Sequence, residues 1–284
     1  MKRILLTGAN GFIGKNFIDI LSKKYKIIKI TRESEIDILN LESLLKIDYI
    51  DVVIHCAAKT FVPDSFDNPY EFYEFNMQST LNIAEFCRLK KVSKVIYLNS
   101  YPYGNPKYLP IDEYHSISFH SPYNKSKYLA ETLLFQYLEN ISDVISLRIF
   151  NIYGKYQGKN FLIPTILDQI KVHENIKVKD LEPKRDYLYI KDLITLLNKI
   201  ITKDNVSGIY NVGSSQSYSV EEVINQIKGI INSSISVDSE NKRRENEVMD
   251  CFANITKLEK EIEWSPEYNL YEGLKDYLYE EKYV

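Results

Sequence analysis

The chain has 284 residues, 44% of them apolar, enough for one large domain or two modest ones with a full hydrophobic core. Its 36 basic and 39 acidic side chains leave a formal charge of −3, so no general field draws it to nucleic acid or an anionic membrane, and any phosphate must be met by a local site. Cys56, Cys87 and Cys251, odd in number and widely spaced, fit neither a disulfide framework nor a CxxC metal pair, and no apolar run suits a signal peptide or a membrane span, so a cytoplasmic protein with reduced thiols and no metal is expected.

Residues 4–6 form a short apolar run that ends in Thr7-Gly8-Ala9-Asn10-Gly11-Phe12-Ile13-Gly14. Beyond it Phe12, Ile13, Phe17, Ile20 and Leu21 share one helical face, which makes the segment strand, turn and helix. Residues 27–30 read as a second strand, 41–45 as a short helix, and 52–54 as a third strand, apolar throughout and therefore buried on both faces. A helix over 69–89, a strand over 94–98, a long helix over 122–139 and a strand over 144–149 continue the alternation. The pattern predicts an α/β fold with a doubly wound parallel (Rossmann) sheet.

From about residue 155 the alternation breaks down, through Pro164, Pro183, the charged stretch 239–247 and Trp264-Ser265-Pro266. A smaller mixed α/β C-terminal domain is expected there, with no internal repeat or flexible linker. Residues 187–197 and 209–212 keep sheet- or helix-forming patterns. The division expected is therefore residues 1–158, with return segments about 186–212, for a dinucleotide, and 159–185 with 213–284 for the substrate. The apolar faces of helices 71–90 and 125–139 suit either the chain's own core, the simpler account, or a homodimer interface.

Gly8, Gly11 and Gly14 stand between a strand and a helix, the context in which such a triplet lets backbone N–H groups and a helix dipole meet a pyrophosphate. A tight turn without ligand is the plain alternative. After the second strand, an acidic residue would bind the ribose 2′-hydroxyl of NAD(H) and a basic one a 2′-phosphate. The strand runs out as Ile30-Thr31-Arg32, with no carboxylate directly after it, so NADP(H) is preferred, with NAD(H) the alternative if Arg32 is merely a solvated charge.

Tyr123 and Lys127, four residues apart near the start of the helix after Ser121-Pro122, project from one helical face. A phenol is a poor base at neutral pH, and a neighbouring ammonium favours its phenolate. Ser100, just after a strand, would add a hydroxyl that holds a substrate oxygen and passes it a proton. The set points to carbonyl–alcohol redox chemistry.

With these residues in place, the chain resembles the extended short-chain dehydrogenases/reductases that act on nucleoside-diphosphate sugars, nearly end to end. The resemblance adds Asp37-Ile38 at the adenine, Asp51-Val52-Val53-Ile54-His55-Cys56-Ala57-Ala58 as a DVVIHxAA strand, and Asn76 opening an NxxxT segment. It further matches Leu147-Arg148-Ile149-Phe150-Asn151-Ile152-Tyr153-Gly154, Arg185-Asp186-Tyr187 with Asp192, Tyr210-Asn211-Val212-Gly213, and Trp264-Ser265-Pro266 with Gly273-Leu274. It implies cofactor contacts from Ala57, Ala58, Asn76 and Phe150, and a nucleoside-diphosphate sugar held by Asn151, Arg185 and one of Arg243 and Arg244; Lys59, following Ala57-Ala58, suits equally a contact to the cofactor ribose or phosphates and an exposed lysine at a strand end. Two guanidinium forks suit a pyrophosphate that the net charge would not attract; a solvated charge run is the alternative for the arginine pair.

Three departures from the family pattern stand out. The loop before Tyr103-Gly104 is one residue short, so Asn99 competes with Ser100 for the catalytic position; a hydroxyl relays a proton and an amide does not, which favours Ser100. Tyr101-Pro102 stands where sugar 4,6-dehydratases carry an Asp–Glu pair, so dehydration is not expected. The C-terminal part is short for an epimerase of the UDP-galactose type. The reading reached is reduction of a 4-keto-6-deoxy sugar nucleotide at C4, with a 4-epimerase retaining NAD as the alternative and a non-catalytic dinucleotide sensor or scaffold as a remote one. His55 and Cys56 read as packing residues, and His115, His120 and His173 as surface side chains, the first two near enough in sequence to Tyr123 to approach the substrate.

Overall fold

The computed structural model describes residues 1–172, 175–243 and 247–283. The N-terminal half runs β1 (Arg3–Thr7), α1 (Phe12–Leu21), β2 (Lys26–Ile30), α2 (Leu41–Leu45), β3 (Val52–His55), α3 (Val62–Asp67), α4 (Pro69–Lys90), β4 (Lys94–Ser100), α5 (Pro122–Tyr137) and β5 (Asp143–Ile149). Next come β6 (Asn151–Tyr153), α6 (Leu162–Lys171), β7 (Ile176–Val178), β8 (Lys184–Tyr189), α7 (Ile190–Thr202) and β9 (Gly208–Val212). The chain closes with β10 (Ser217–Ser219), α8 (Val220–Ile230), β11 (Val237–Ser239), α9 (Thr256–Glu261) and α10 (Leu270–Glu280).

Six parallel strands in the order β2-β1-β3-β4-β5-β9 make the main sheet. Alternate residues of one strand feed opposite cores, because successive side chains of a strand point to opposite faces. Val52 and Ile54 join the cluster that includes α1 and α7, whereas Val53 joins the one beneath α4 and α5. That is why β3 reads as an unbroken apolar run. The buried faces of α4 and α5 supply Ile83, Phe86, Ala130 and Leu134 to the chain's own core. The strand order reverses beside β1, and at such a switch point the C-terminal strand ends leave a crevice for ligands.

Residues 187–197 resolve into two pieces: the end of β8, which joins a three-stranded sheet β10-β8-β6, and the start of α7. The return to the main sheet is made by β9 beside β5. β8 begins before residue 186 and stays with the small sheet, while β7 and β11 form a separate parallel pair. The helix expected over 122–139 ends at Tyr137, where Leu138 (φ −104°, ψ 13°) leaves the helical region, and α3 has no counterpart among the expected elements. Local caps explain several starts: Ser121 Oγ accepts from Asn124 N at 3.2 Å ahead of Pro122, and Ser219 with Glu222 and Asn269 with Glu272 form capping boxes. Among the described residues no helix is long and apolar enough to cross a membrane.

Candidate active site

The strand ends of the main sheet and the small sheet enclose a cleft of about 1470 Å³. That is larger than most single-ligand sites and leaves room for two ligands side by side.

One half is built on the β1–α1 turn. Gly8 sits at φ +67°, and a Cβ there would lie 2.9 Å from Ala57 N; one on Gly14 would meet Gly8 O at 2.5 Å and Ala9 Cα at 2.7 Å. Any side chain would therefore push the turn, the helix and the end of β3 apart. Gly11 precedes α1 with no side-chain cap and no acidic residue follows in the first turn, so its leading N–H groups and positive dipole end remain to receive an anion. The cradle and the uncapped helix fit a dinucleotide pyrophosphate. Phe12, Ile13, Arg32, Asp37, Ile38, Ala57 and Ala58 line the same half.

Three residues expected at the cofactor lie elsewhere. Thr7 is buried, and its hydroxyl accepts from Cys56 N (3.1 Å) and Ala57 N (3.0 Å) and meets His55 Nδ1 at 2.8 Å, tying β1 to the end of β3. Asn76, also buried, accepts from Lys59 N at 2.9 Å and donates to Ser126 Oγ at 2.9 Å. Lys59 directs its ammonium to Glu71. These side chains hold the cleft wall and are not part of its lining.

The wall beyond β2 carries one acid that the expected site residues do not include. Glu33, one residue beyond Arg32, lines the cleft and accepts from Asn10 Nδ2 of the glycine turn at 2.8 Å. Hydrogen bonds from the Thr31 side chain and the backbone, with a further one from Asn10, hold its carboxyl below the ordinary range. No carboxylate stands directly after β2, yet bending of the chain beyond Ile30 brings an acid one residue later to the same wall.

At the centre of the cleft stand Ser100, Tyr123 and Lys127. Burial raises the Tyr123 phenol to about 12, and a hydrogen bond from the Ser100 hydroxyl works against that rise. Lys127 is buried, with its ammonium 4.0 Å from the centroid of the Tyr97 ring. Burial brings it down from 10.5 to about 7, opposed by Cys56 and Glu131. Asn99 turns its amide away to Glu131 Oε2 (2.8 Å) while its own oxygen accepts from Ser100 N (2.8 Å). Ser100 is therefore the hydroxyl that meets the phenol, and Asn124 Nδ2 approaches it at 3.5 Å.

Phe150 also lines the cleft, and its far half is lined by Asn151, Gln157, Arg185 and Tyr187. Phe150 stacks on Tyr101 with centroids 4.4 Å apart and planes 12° from parallel. Asn151 Oδ1 and Gln157 Oε1 are buried with no partner among the described residues, polar atoms whose desolvation a ligand would offset. Arg185 lies against Glu247 and donates to Lys184 O (2.7 Å) and Val248 O (2.6 Å). Arg243 is not brought to the cleft; it pairs with Asp180 (3.3 Å) and Glu182 (2.5 Å). Arg244 and His173 lie outside the described residues.

The other histidines separate. His55 is fully buried between Thr7 and Thr80, and burial lowers it to about 3, so it is a neutral packing group. His115 is buried rather than on the surface, packed against Tyr103 and Tyr108 and accepting from Lys107 N at 3.0 Å. Aromatic neighbours on both sides enclose it, which its polar sequence context concealed. His120 is exposed on the rim of the cleft.

Comparison with known proteins agrees with this architecture. The model of the NAD dependent epimerase/dehydratase family matches residues 4–213. A protein of Methanocaldococcus jannaschii named "Putative UDP-glucose 4-epimerase" is 31% identical over 96% of each chain. The GDP-6-deoxy-D-mannose reductase of Pseudomonas aeruginosa is 26% identical, covering 96% of this chain and 95% of the other. A solved structure of RMD from Pseudomonas aeruginosa with NADPH superposes with a TM-score of 0.89 at 25% identity over the whole of both chains.

Proposed function

Because this chain belongs to the NAD dependent epimerase/dehydratase family, we propose that it is an oxidoreductase acting at C4 of a nucleoside-diphosphate sugar, reducing a 4-keto-6-deoxy sugar with NADPH. The observation that carries the reading is the meeting of Ser100, Tyr123 and Lys127 at the junction of the two halves of the cleft. A nicotinamide dinucleotide bound on the glycine cradle supplies the hydride. The chain's own residues do the rest.

The Ser100 hydroxyl donates to the sugar's C4 oxygen and fixes its position, and the Tyr123 phenol delivers the proton that oxygen needs on becoming an alcohol. With its phenol pushed up to about 12 by burial, Tyr123 is protonated at neutral pH, as reduction requires. The Lys127 ammonium one turn away favours the phenolate left behind, and since the lysine itself sits at about 7, its charge is available near neutral pH. Arg185 and Asn151 hold the diphosphate, the arginine exchanging Glu247 for phosphate oxygens. Tyr101 occupies the place where an acid would be required for dehydration.

Arg32 on the cofactor wall supports NADP(H), which a reductase consumes stoichiometrically. Glu33 beside it supports the second reading, a 4-epimerase that retains NAD, since a carboxylate there suits a free 2′-hydroxyl. Incubation with dTDP-, CDP- or GDP-4-keto-6-deoxyhexose and NADPH, followed by loss of nicotinamide absorbance, tests the first. Interconversion of a UDP-hexose without net cofactor change would establish the second in its place. Intact dinucleotide binding with no turnover of any sugar nucleotide would exclude both.

A further inference from the structure

Behind Ser100 lies a closed polar network in an otherwise apolar interior. Glu131 and Arg148 form an ion pair whose side chains are 2% and 4% exposed, with Arg148 NH2 to Oε1 at 2.6 Å and Nε to Oε2 at 3.2 Å. Oε2 also accepts from Ser146 Oγ (2.5 Å) and Asn99 Nδ2 (2.8 Å), and Asn99 Oδ1 in turn accepts from Ser100 N at 2.8 Å. From the other partner, Arg148 NH1 donates to Tyr103 Oη at 3.0 Å, and Tyr103 donates to Asn211 Oδ1 at 2.6 Å. Asn211 is anchored by Ile111 O and Glu113.

The turn that carries Ser100 is thus held at Asn99 by the carboxylate and at Tyr103 by the guanidinium, and only residues 100–102 are left between the two anchors. Glu131 stands on α5, one turn beyond Lys127 and two beyond Tyr123. The helix that supplies the acid–base residues therefore also grips the opposite wall. A buried ion pair contributes little net stability compared with apolar residues of similar volume, so stability alone does not account for it. We propose that Glu131 is a positioning residue, which with Arg148 clamps both ends of the Ser100 turn and sets where that hydroxyl stands relative to the Tyr123 phenol. This rests on Ser100 and Tyr123 acting on the substrate as described above.

Asn99→Ala cuts the link from Glu131 to Ser100 and leaves the carboxylate satisfied by Ser146 and Arg148. We expect kcat to fall about 10- to 100-fold, the range a misplacement of about 1 Å produces, with KM and the cofactor dissociation constant changed less than about threefold. The same substitution in a Ser100→Ala background should cost almost nothing further, because its effect passes through that hydroxyl. Glu131→Gln with Arg148→Met removes both charges together, avoiding an unpaired buried ion, and should fold and show the same selective loss of kcat. An unchanged kcat, or an equal loss from Asn99→Ala with and without Ser100, overturns the proposal. Crystal structures of wild type and Asn99→Ala give a reading independent of turnover: the Ser100 Oγ to Tyr123 Oη separation should lengthen, and an unchanged separation refutes positioning. A wild-type protein inactive on every sugar nucleotide counts against the proposed reaction, and the crystallographic comparison then decides the clamp by itself.

Discussion

Replacing Lys127 with methionine removes an ammonium from a site that disfavours it, and should stabilise the protein without its cofactor while removing turnover. Burial brings the lysine from 10.5 down to about 7 against the opposing pull of Cys56 and Glu131, with the Tyr97 ring beneath it and His55 neutral nearby. The folded value lies below the unfolded one, so between the two the unfolded chain binds more protons and stability rises with pH. Values of 10.5 and about 7 correspond to a destabilisation of about 4 kcal/mol at pH 7 and about 2 kcal/mol at pH 9. Wild type should therefore gain about 2 kcal/mol on Lys127→Met between those pH values. Urea unfolding of both proteins at pH 7, 8 and 9, without nucleotides, measures this directly. All other titrating groups are shared, so the difference isolates Lys127. A stability difference that stays flat from pH 7 to 9 would refute the buried, near-neutral lysine.

Three further outcomes are expected. Tyr123→Phe should lower kcat by about 10²- to 10⁴-fold with dinucleotide affinity intact by fluorescence titration; retained turnover would remove the phenol from the mechanism. Arg32→Ala should weaken NADP(H) about tenfold or more, the loss of a charge-assisted hydrogen bond, and NAD(H) less than about threefold; equal effects by calorimetry would leave no ground for preferring the phosphorylated cofactor. Gly14→Ala places a methyl 2.5 Å from Gly8 O and 2.7 Å from Ala9 Cα, requiring an opening of roughly 1 Å to reach van der Waals contact. At about 1–3 kcal/mol of overpacking the melting temperature should fall by roughly 2–10 °C and dinucleotide affinity by about tenfold, and an unaltered affinity would argue against a cradle this tight.

The elements legible in the sequence were those coded by short-range pattern. The strand–turn–helix at residues 3–21, the apolar β3 and the four-residue spacing of Tyr123 and Lys127 depend on neighbours within a few positions, and the structure brings the glycine turn, the residues just after β3 and the tyrosine–lysine pair to one cleft. Less legible was the second half, where β8 and α7 abut at Tyr189 and Ile190 without a turn signal between them. Asn76 and Lys59 illustrate another difficulty: their motif positions are clear, yet each side chain is engaged by Ser126 or Glu71 from a distant part of the chain.

By itself the sequence determined the parallel α/β plan, the glycine cradle and the presence of a tyrosine–lysine pair, because backbone conformational freedom, helical periodicity and strand burial are local consequences of residue type. Tertiary structure decided what faces the ligands. It turned Asn99 inward to Glu131 and left Ser100 against Tyr123, brought Arg185 to the cleft while Arg243 paired with Asp180 and Glu182, and joined Glu33 to Asn10 of the glycine turn. Each of those choices is made by a hydrogen bond or ion pair, most of them between residues far apart in the chain, whose strength depends on burial and geometry that spacing in sequence does not encode.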